Sequence, residues 1–145
     1  MSGIEIRKER FFRGKKNLVI SALDHVVEYG YQPGIEKAEK AIKNCLDTDA
    51  LLLPQFMARR NWGLLAGQNA PRIVVRINWT ASFYYPLEYR DGETVIATTV
   101  EEAVNAGADA VICSLFLEED NASAREANNV ALFSEVVRQK EKLGI

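Results

Sequence analysis

Short apolar runs along the chain predict four buried strands. They lie at about residues 18–23, 50–53, 73–78 and 110–115. Each run is bounded by polar or turn residues, which is typical of strands that are covered on both faces. Such strands occur mainly in parallel sheets, so the pattern favours an α/β fold.

Apolar residues at helical spacing fill the intervals between these strands. They predict helices at about residues 34–46, 55–67 and 99–107, and a longest helix from about residue 118 to the last residue. A capping box at Thr99–Glu102 marks the start of the third helix. Trp62 is expected in the core. The longest helix is expected to bury Ala127, Val130, Phe133 and Val137.

This order predicts four consecutive parallel β-α units. Such units build either a flavodoxin-like open sheet or part of a (β/α)8 barrel of the TIM type. A whole barrel needs roughly 200 residues or more, so a chain of 145 residues would supply the first four units, or half of one. We expect residues 1–16 to form a charged N-terminal arm and residues 17–145 to form the half-barrel.

Residues 79–93, WTASFYYPLEYRDGE, are rich in aromatic and turn residues. The segment is long for a link between a strand and a helix, and long loops in compact domains are often functional. A hairpin or lid that packs its own aromatic side chains is an equally good interpretation. The sequence leaves both open.

Composition and charge exclude several classes of partner. A formal net charge of −2 argues against nucleic acid or an anionic membrane as the main partner. No apolar stretch is long enough to span a bilayer, and the first residues lack the apolar core of a signal peptide. Cys45 and Cys113 are expected to be buried thiols rather than a disulfide or a metal pair. A cytoplasmic protein is expected.

Three polar residues, Asp24, His25 and Glu28, follow the first predicted strand. Ligand chemistry collects at the carboxyl ends of parallel strands, which makes Asp24 the first catalytic candidate. Asp24 could instead cap the following turn; if it is catalytic, Asp24→Ala should leave folding nearly intact. His25, the only histidine, could transfer protons or simply pack. His25 and Glu28 alone do not make a metal site.

Polar residues also end the third and fourth predicted strands. Arg76 lies within the third strand, where a buried charge needs a partner such as Asp24. A substrate phosphate is the alternative partner for Arg76. The remaining candidates for lining a substrate pocket, with Glu28, are Asn78, Trp79, Ser82 and Ser114. Trp79 could equally be a packing residue.

Residues 23–36, LDHVVEYGYQPGIE, resemble the first strand and loop of the archaeal-type class I fructose-bisphosphate aldolases and their relatives. These relatives include the aldolase-like thiolases of autoinducer metabolism. Members typically carry an Asp-His-Gly-x-Glu-x-Gly-Pro type segment there. The matching residues are Asp24, His25, Glu28 and Gly30. Val26 and Tyr29 depart from that segment. The run TVEEAVNAGADAV at 99–111 is also similar to the family.

The resemblance implies a (β/α)8 barrel that cleaves or forms carbon–carbon bonds in sugar phosphates. In this family a lysine of the sixth strand forms a Schiff base with the ketose carbonyl. A carboxylate at the end of the first strand, which corresponds to Asp24, helps to move protons together with a tyrosine. The protonated imine is the electron sink, so no metal or other cofactor is expected.

The sequence departs from the family at the lysine. The sixth-strand lysine is not among the lysines of this chain, which are Lys8, Lys15, Lys16, Lys37, Lys40, Lys43, Lys140 and Lys142. All are predicted in the arm or on helices, where nothing would lower the pKa of an amine. We therefore expect a protein inactive alone, which forms a homo-oligomer or binds a complementing C-terminal half.

Two alternatives to the half-barrel interpretation stay open. The first is a small α/β binding or regulatory module without catalysis. The second is an independent enzyme in which Asp24, His25 and Glu28 transfer protons.

Overall fold

The computed structural model describes residues 2–81, 92–117 and 123–145. The strands are β1 (Ile20–Ala22), β2 (Ala50–Leu53), β3 (Arg72–Arg76), β4 (Asn78–Thr80), β5 (Thr94–Ile96) and β6 (Ala110–Ile112). The helices are α1 (Ser2–Phe12), α2 (His25–Glu28), α3 (Ala38–Lys43), α4 (Gln55–Arg60), α5 (Trp62–Leu65), α6 (Val100–Asn105) and α7 (Ser123–Leu143). Among the described residues, no helix is long and apolar enough to cross a membrane.

Four strands form one parallel sheet in the order β1-β2-β3-β6. One line of paired residues runs across all four strands through Ala22, Leu52, Val74 and Ala110. Each strand neighbours the next parallel strand along the chain, as in the wall of a β-α barrel. The predicted class of parallel β-α units is therefore confirmed.

The two faces of the sheet bury different sets of side chains. One face packs against the helices, and its core includes Leu51, Leu53, Val75, Ile77, Ile42, Met57, Val100 and Val136. The opposite face buries Ala50, Leu52 and Val74 in a smaller cluster with Phe11 and Ala110. Because residues alternate between faces along a strand, this second face is the one that a barrel encloses.

The N-terminal segment docks beneath the second face. Phe11 of α1 packs into the smaller cluster, and Arg72 donates hydrogen bonds from Nε and Nη2 to the Arg10 carbonyl at 3.1 and 2.9 Å. Lys15 forms an ion pair with Asp49, whose carboxylate also accepts a bond from the Val19 N–H at 2.9 Å. These contacts agree with an arm under the sheet. The boundary between residues 16 and 17 stays a prediction.

Helix α3 and the pair α4 and α5 are shorter than the helices that the sequence predicts. Gly34 has a φ of +92°, a left-handed conformation, and helix α3 begins only at Ala38. The helix predicted at 55–67 is two helices, α4 and α5, that meet at Asn61. The Asn61 side chain donates a hydrogen bond to the Met57 carbonyl at 2.9 Å. Such a bond competes with the helical backbone.

The residues expected to be buried on α5 and α7 are partly wrong. Trp62 is 71% exposed and does not belong to the core. On α7, Ala127 and Val130 are exposed, while the buried residues are Asn129 and Val136. Asn129 donates from Nδ2 to the carbonyls of Gly92 and Phe116 at 2.9 and 3.1 Å, which draws its side of the helix inward.

The predicted capping box is present at the start of α6. The Thr99 hydroxyl accepts a hydrogen bond from the Glu102 N–H at 3.1 Å, and Glu102 Oε2 accepts one from the Thr99 N–H at 2.8 Å. We expect Thr99→Ala to lower the free energy of unfolding by about 1 kcal/mol, because the Glu102 N–H loses its acceptor. Urea denaturation measures the difference, and Thr98→Ala serves as the adjacent control.

The same cap should depend on pH. Hydrogen bonds from the backbone and side chain of Thr99 hold the pKa of the Glu102 carboxyl below its usual range. A lowered folded-state pKa means that the stabilisation is complete above the ordinary glutamate pKa. It is lost as the pH falls through the lowered value. The stability difference between wild type and Thr99→Ala should therefore narrow in acid; a constant difference would contradict this assignment.

Candidate functional site

Asp24 lies directly beyond β1, at the carboxyl end of the parallel sheet. Its side chain is only 4% exposed. Although Asp24 occupies the position that precedes α2, its carboxylate makes no capping hydrogen bond. Instead, Oδ2 accepts a hydrogen bond from Arg76 Nε at 2.7 Å. The capping interpretation of Asp24 is therefore wrong, and the predicted pairing with Arg76 is confirmed.

Arg76 connects the ends of three strands. It is the last residue of β3, and its side chain is 10% exposed. Nε binds Asp24 beyond β1, and Nη1 donates to Ser114 Oγ, beyond β6, at 2.6 Å. A buried charge is costly unless it is paired and hydrogen-bonded, and these contacts meet that need. Asp24, Arg76 and Ser114 therefore form one connected group.

Asn78 also binds this region. It lies two residues after Arg76, so both side chains leave the chain on the same face. Its Nδ2 donates to the Ser114 carbonyl at 2.9 Å, and its Oδ1 accepts from the Ser114 N–H at 2.9 Å. The asparagine side chain thus replaces the backbone partner that Ser114 would have in a longer strand. Nδ2 also donates to Thr80 Oγ1 at 3.0 Å, and that hydroxyl lies 3.1 Å from Thr94 Oγ1.

We call Asp24, Arg76, Asn78, Ser114, Thr80 and Thr94 the strand-end network. Its members lie at or beyond the carboxyl ends of β1, β3 and β6 and on the antiparallel ribbon of β4 and β5. In α/β barrels this end of the sheet carries the chemistry. The network therefore stands where an active site is built.

Comparisons with known proteins agree with this geometry. An uncharacterized aldolase of Saccharolobus solfataricus is 29% identical over 150 residues, which cover 100% of this chain and 54% of the relative. A Schiff-base-forming fructose-1,6-bisphosphate aldolase superimposes with a TM-score of 0.73 at 19% identity, over 98% of this chain and 54% of that chain. The fold is half of a β-α barrel, and it is similar to half of this aldolase's structure.

A second solved structure gives the same result. An archaeal fructose-1,6-bisphosphate aldolase, with its catalytic lysine bound to the carbinolamine intermediate, has a TM-score of 0.72 and 18% identity over 98% of this chain and 54% of that chain. No protein-family model matches the chain. The half-barrel spans about half the length of the curated relative it matches. The predicted resemblance to the archaeal-type class I aldolases is confirmed.

His25 lies beside the strand-end network of the half-barrel. Its Nδ1 is 4.0 Å from Asp24 Oδ1, and its ring stacks on Tyr29 at a centroid distance of 5.8 Å. The imidazole is about half exposed. Asp24 therefore presents one oxygen to Arg76 and the other toward a solvent-accessible imidazole. At 4.0 Å the two groups are not hydrogen-bonded, so a proton would pass between them through one bridging water or after a small movement of the ring.

Trp79 is the one remaining predicted site residue whose side chain the structure describes, and it does not join the network. Trp79 is half-buried and alternates along β4 with Asn78 and Thr80, so its side chain leaves the strand on the opposite face. Glu28 ends α2, but its side chain lies outside the described part of the structure, as does the whole of Ser82.

Two network members, Thr80 and Thr94, were not anticipated from the sequence. Thr80 lies two residues beyond Asn78, and that spacing places both side chains on one face of a strand. The sequence therefore contains the spacing that identifies Thr80 as a neighbour of Asn78. Thr94 meets Thr80 only through the pairing of β4 with β5, for which the sequence holds no comparable signal.

The cysteines of the half-barrel are free and half-buried, not fully buried as expected. Cys113 precedes Ser114 and packs toward the helices. Burial raises the pKa of the Cys113 thiol, and the positive charge of Arg76 opposes that shift. The thiol is therefore held in its protonated form and is a poor nucleophile at neutral pH.

Neither a metal site nor an imine-forming lysine is apparent in the described residues. Residues 2–81, 92–117 and 123–145 contain no group of three or more histidine, cysteine, aspartate or glutamate side chains that could hold a metal ion. All eight lysines fall within these ranges. They lie on α1, in the segment after it, beside or within α3, and near the end of α7. Not one follows a strand of the parallel sheet.

Proposed function

We propose that the half-barrel forms one side of a class I aldolase-type site. The reaction class is the cleavage or formation of carbon–carbon bonds in sugar phosphates or related ketoses. The buried Asp24–Arg76 pair at the carboxyl end of a parallel sheet carries this proposal. The aldolase fold supports it, as do the Schiff-base and carbinolamine chemistry of the two solved aldolases.

Asp24 is the proposed proton-transfer group. Arg76 and Ser114 hold the carboxylate at the mouth, since the chain Asp24–Arg76–Ser114 leaves little freedom for either side chain. His25 is the proposed second proton carrier, because it faces Asp24 Oδ1 and reaches solvent. General acid–base catalysis by such groups typically contributes 10²–10⁴-fold to a rate.

The predicted substrate contacts fall into groups according to the hydrogen bonds that their side chains already make within the protein. Arg76 is the proposed contact for a substrate phosphate or hydroxyl, with Ser114 beside it. Asn78 is a proposed positioning residue, because its side-chain amide already binds Ser114 and Thr80. Contacts from the remaining candidates stay predictions; these candidates are Glu28, Trp79 and Ser82.

The imine-forming lysine must come from β-α units other than the four described here. An amine is a useful nucleophile when burial or a neighbouring cation lowers its pKa. Lys15, Lys43 and Lys140 instead pair with carboxylates, away from the carboxyl ends of the strands. We therefore propose that the chain alone is inactive in carbon–carbon chemistry. A complementing half would supply the lysine, and no metal or other cofactor is required.

Borohydride trapping tests this proposal directly. The 145-residue protein is incubated with dihydroxyacetone phosphate and sodium borohydride, and intact mass is read. We expect no reduced adduct, because no lysine lies where an imine would be stabilised. A complete Schiff-base-forming fructose-bisphosphate aldolase is the positive control. An adduct on this chain would show that one of its own lysines reacts.

Complementation tests the role of Asp24. The chain is co-refolded with the second half of the S. solfataricus relative, and cleavage of a set of ketose phosphates that includes fructose 1,6-bisphosphate is assayed. We expect activity to appear with the wild-type chain and to fall about 100-fold or more with Asp24→Asn. Glu141→Gln, on the exposed side of α7, is the matched control. Equal activity for both variants would remove Asp24 from the mechanism.

A binding or regulatory module without catalysis is the second candidate function. The observation that favours it is the tight engagement of Asp24 by Arg76, which neutralises the carboxylate. Calorimetry with a ketose phosphate separates the two candidates when combined with the complementation assay. Binding without any gain of activity supports the module. The absence of a nucleic-acid or membrane partner and the cytoplasmic location stay predictions.

A further inference from the structure

The parallel sheet has two edges, and both carry exposed apolar side chains. In the described residues, β1 pairs only with β2, and β6 pairs only with β3. Ile20 of β1 is 47% exposed and Ile112 of β6 is 37% exposed. Val19, Leu115 and Leu117 are also exposed at these edges. An unprotected strand edge of this kind is a template for pairing with another strand.

An apolar groove continues the β6 edge toward the helix layer. It has a volume of about 330 Å³ and lies between β6 and α7. Its walls include Ile112, Cys113, Phe133, Val136 and Val137. In a β-α barrel this space receives side chains from the next β-α unit. The edge and the groove therefore form one surface of the right shape for another such unit.

The register within the sheet restricts which strand can pair with β6. An eight-stranded barrel of this type has a shear of about eight residues, or about four for each half. The line through Ala22 and Ala110 must therefore reach the next half about four residues away from position 22. Toward the carboxyl end, that position is Val26, which belongs to α2 and not to a strand. Toward the amino end, it is Leu18, which precedes β1 by two residues and belongs to no helix, so the strand direction can continue through it.

A second copy of this chain satisfies that register. If Ala110 lies opposite Leu18 of the second copy, Ile112 lies opposite Ile20. The two exposed isoleucines then cover one another, on the face that the barrel encloses. The next pair is Ser114 with Ala22. The alternation of enclosed and helix-facing residues therefore continues without a break across the new edge.

We infer that two copies of the half-barrel pair through both edges, β6 of each with β1 of the other, to close an eight-stranded barrel. The closed form removes both unpaired edges and fills the groove beside α7. A two-fold axis along the barrel places an Asp24–Arg76 pair from each copy at one shared mouth. This inference rests on the fold and the register and not on the proposed chemistry; a complementing half would take the place of the second copy at the same two edges.

The mass in solution is the first test. The chain has a mass of 16.3 kDa, and we expect light scattering at micromolar concentration to give twice that value. Ile20→Lys or Ile112→Lys should yield monomer, because each places an ammonium group inside the closed edge. Phe56→Lys is the matched control, since Phe56 is 50% exposed on the helix layer, away from both edges. A monomeric wild type overturns the inference, and so do open-ended larger assemblies.

Cross-linking tests the register itself. In a background with Cys45→Ala and Cys113→Ala, one batch of chain carries Ile20→Cys and another carries Ile112→Cys. Opposed residues of paired strands lie within the Cα separation that a disulfide spans. We expect mild oxidation to give a covalent dimer when the two batches are refolded together, and little in either alone. Val19→Cys replaces Ile20→Cys as the control, because Val19 points to the other face. Equal cross-linking from both, or none from Ile20, overturns the register.

Hydrogen exchange of the unmodified protein keeps the inference testable if the variants fail to fold. In the closed dimer, amides of Ile20–Ala22 and Ala110–Ile112 should exchange slowly on both sides of each strand. Fast exchange of the outward amides at both edges overturns the inference. Failure of the proposed function would appear only in the trapping and complementation assays, so the two outcomes are distinguishable.

Discussion

Arg76→Met is expected to lower the free energy of unfolding by about 3–5 kcal/mol, the usual cost of removing one partner of a buried ion pair. The substitution keeps much of the side-chain volume. It removes both the bond to Asp24 and the bond to Ser114. The Asp24 carboxylate is then left buried without its cation. Denaturant unfolding followed by circular dichroism, at fixed protein concentration, measures the loss.

Two further variants separate this effect from a general loss of charge. Arg138→Met removes an exposed ion pair with Glu135 on α7 and should change stability by no more than about 0.5 kcal/mol. The double variant Arg76→Met, Asp24→Leu should recover much of the loss, because no uncompensated charge remains. A double variant as unstable as Arg76→Met alone would contradict this account of the pair.

The buried pair also changes what a destabilised Asp24 variant would mean. From the sequence, a stable Asp24→Ala protein was the expected mark of a catalytic residue. In the structure, Asp24 contributes to the fold as well as to the candidate site, since its carboxylate is the acceptor for Arg76. Loss of stability in Asp24→Ala therefore does not exclude catalysis. Asp24→Asn in the complementation assay is the more direct test.

Features set by local chemistry could be predicted from the sequence. The bounds predicted for β2, Ala50–Leu53, agree with the structure because Pro54 ends an unbroken apolar run. The Thr99 capping box needs only residues within one turn of helix. The Asp24–Arg76 pair followed from a charge inside a buried strand and a carboxylate at the carboxyl end of another strand of the same sheet, with β2 between the two.

Features set by distant contacts could not be predicted. The third strand was expected to continue to Asn78, but Asn78 begins the separate ribbon of β4 and β5, paired across residues far apart in the chain. At the two described ends of segment 79–93, this pairing agrees with the hairpin interpretation. Residues 82–91 lie outside the described part of the structure. Asn129 is buried because its side chain bridges the carbonyls of Gly92 and Phe116. A polar residue on a helix does not by itself predict such burial.

Asn78→Ala is expected to cost about 2–4 kcal/mol of unfolding free energy. Asn78 is fully buried, and its side chain is the partner of both the N–H and the carbonyl of Ser114. Alanine leaves these two backbone groups without that partner, and each unsatisfied buried group costs about 1–3 kcal/mol. The segment after β6 should then move away from Arg76. Equilibrium unfolding in urea gives the energy, and amide exchange at Ser114 reports the movement.

Asn69→Ala is the control for that loss, because Asn69 is exposed in the loop before β3; its effect should stay within about 0.5 kcal/mol. Asn78→Asp adds a sharper criterion. Aspartate can still accept from the Ser114 N–H but cannot donate to the Ser114 carbonyl, and it introduces a charge into a buried site. It should therefore be at least as unstable as Asn78→Ala. A tolerated aspartate would show that water reaches the strand-end network and that Ser114 is held mainly by Arg76.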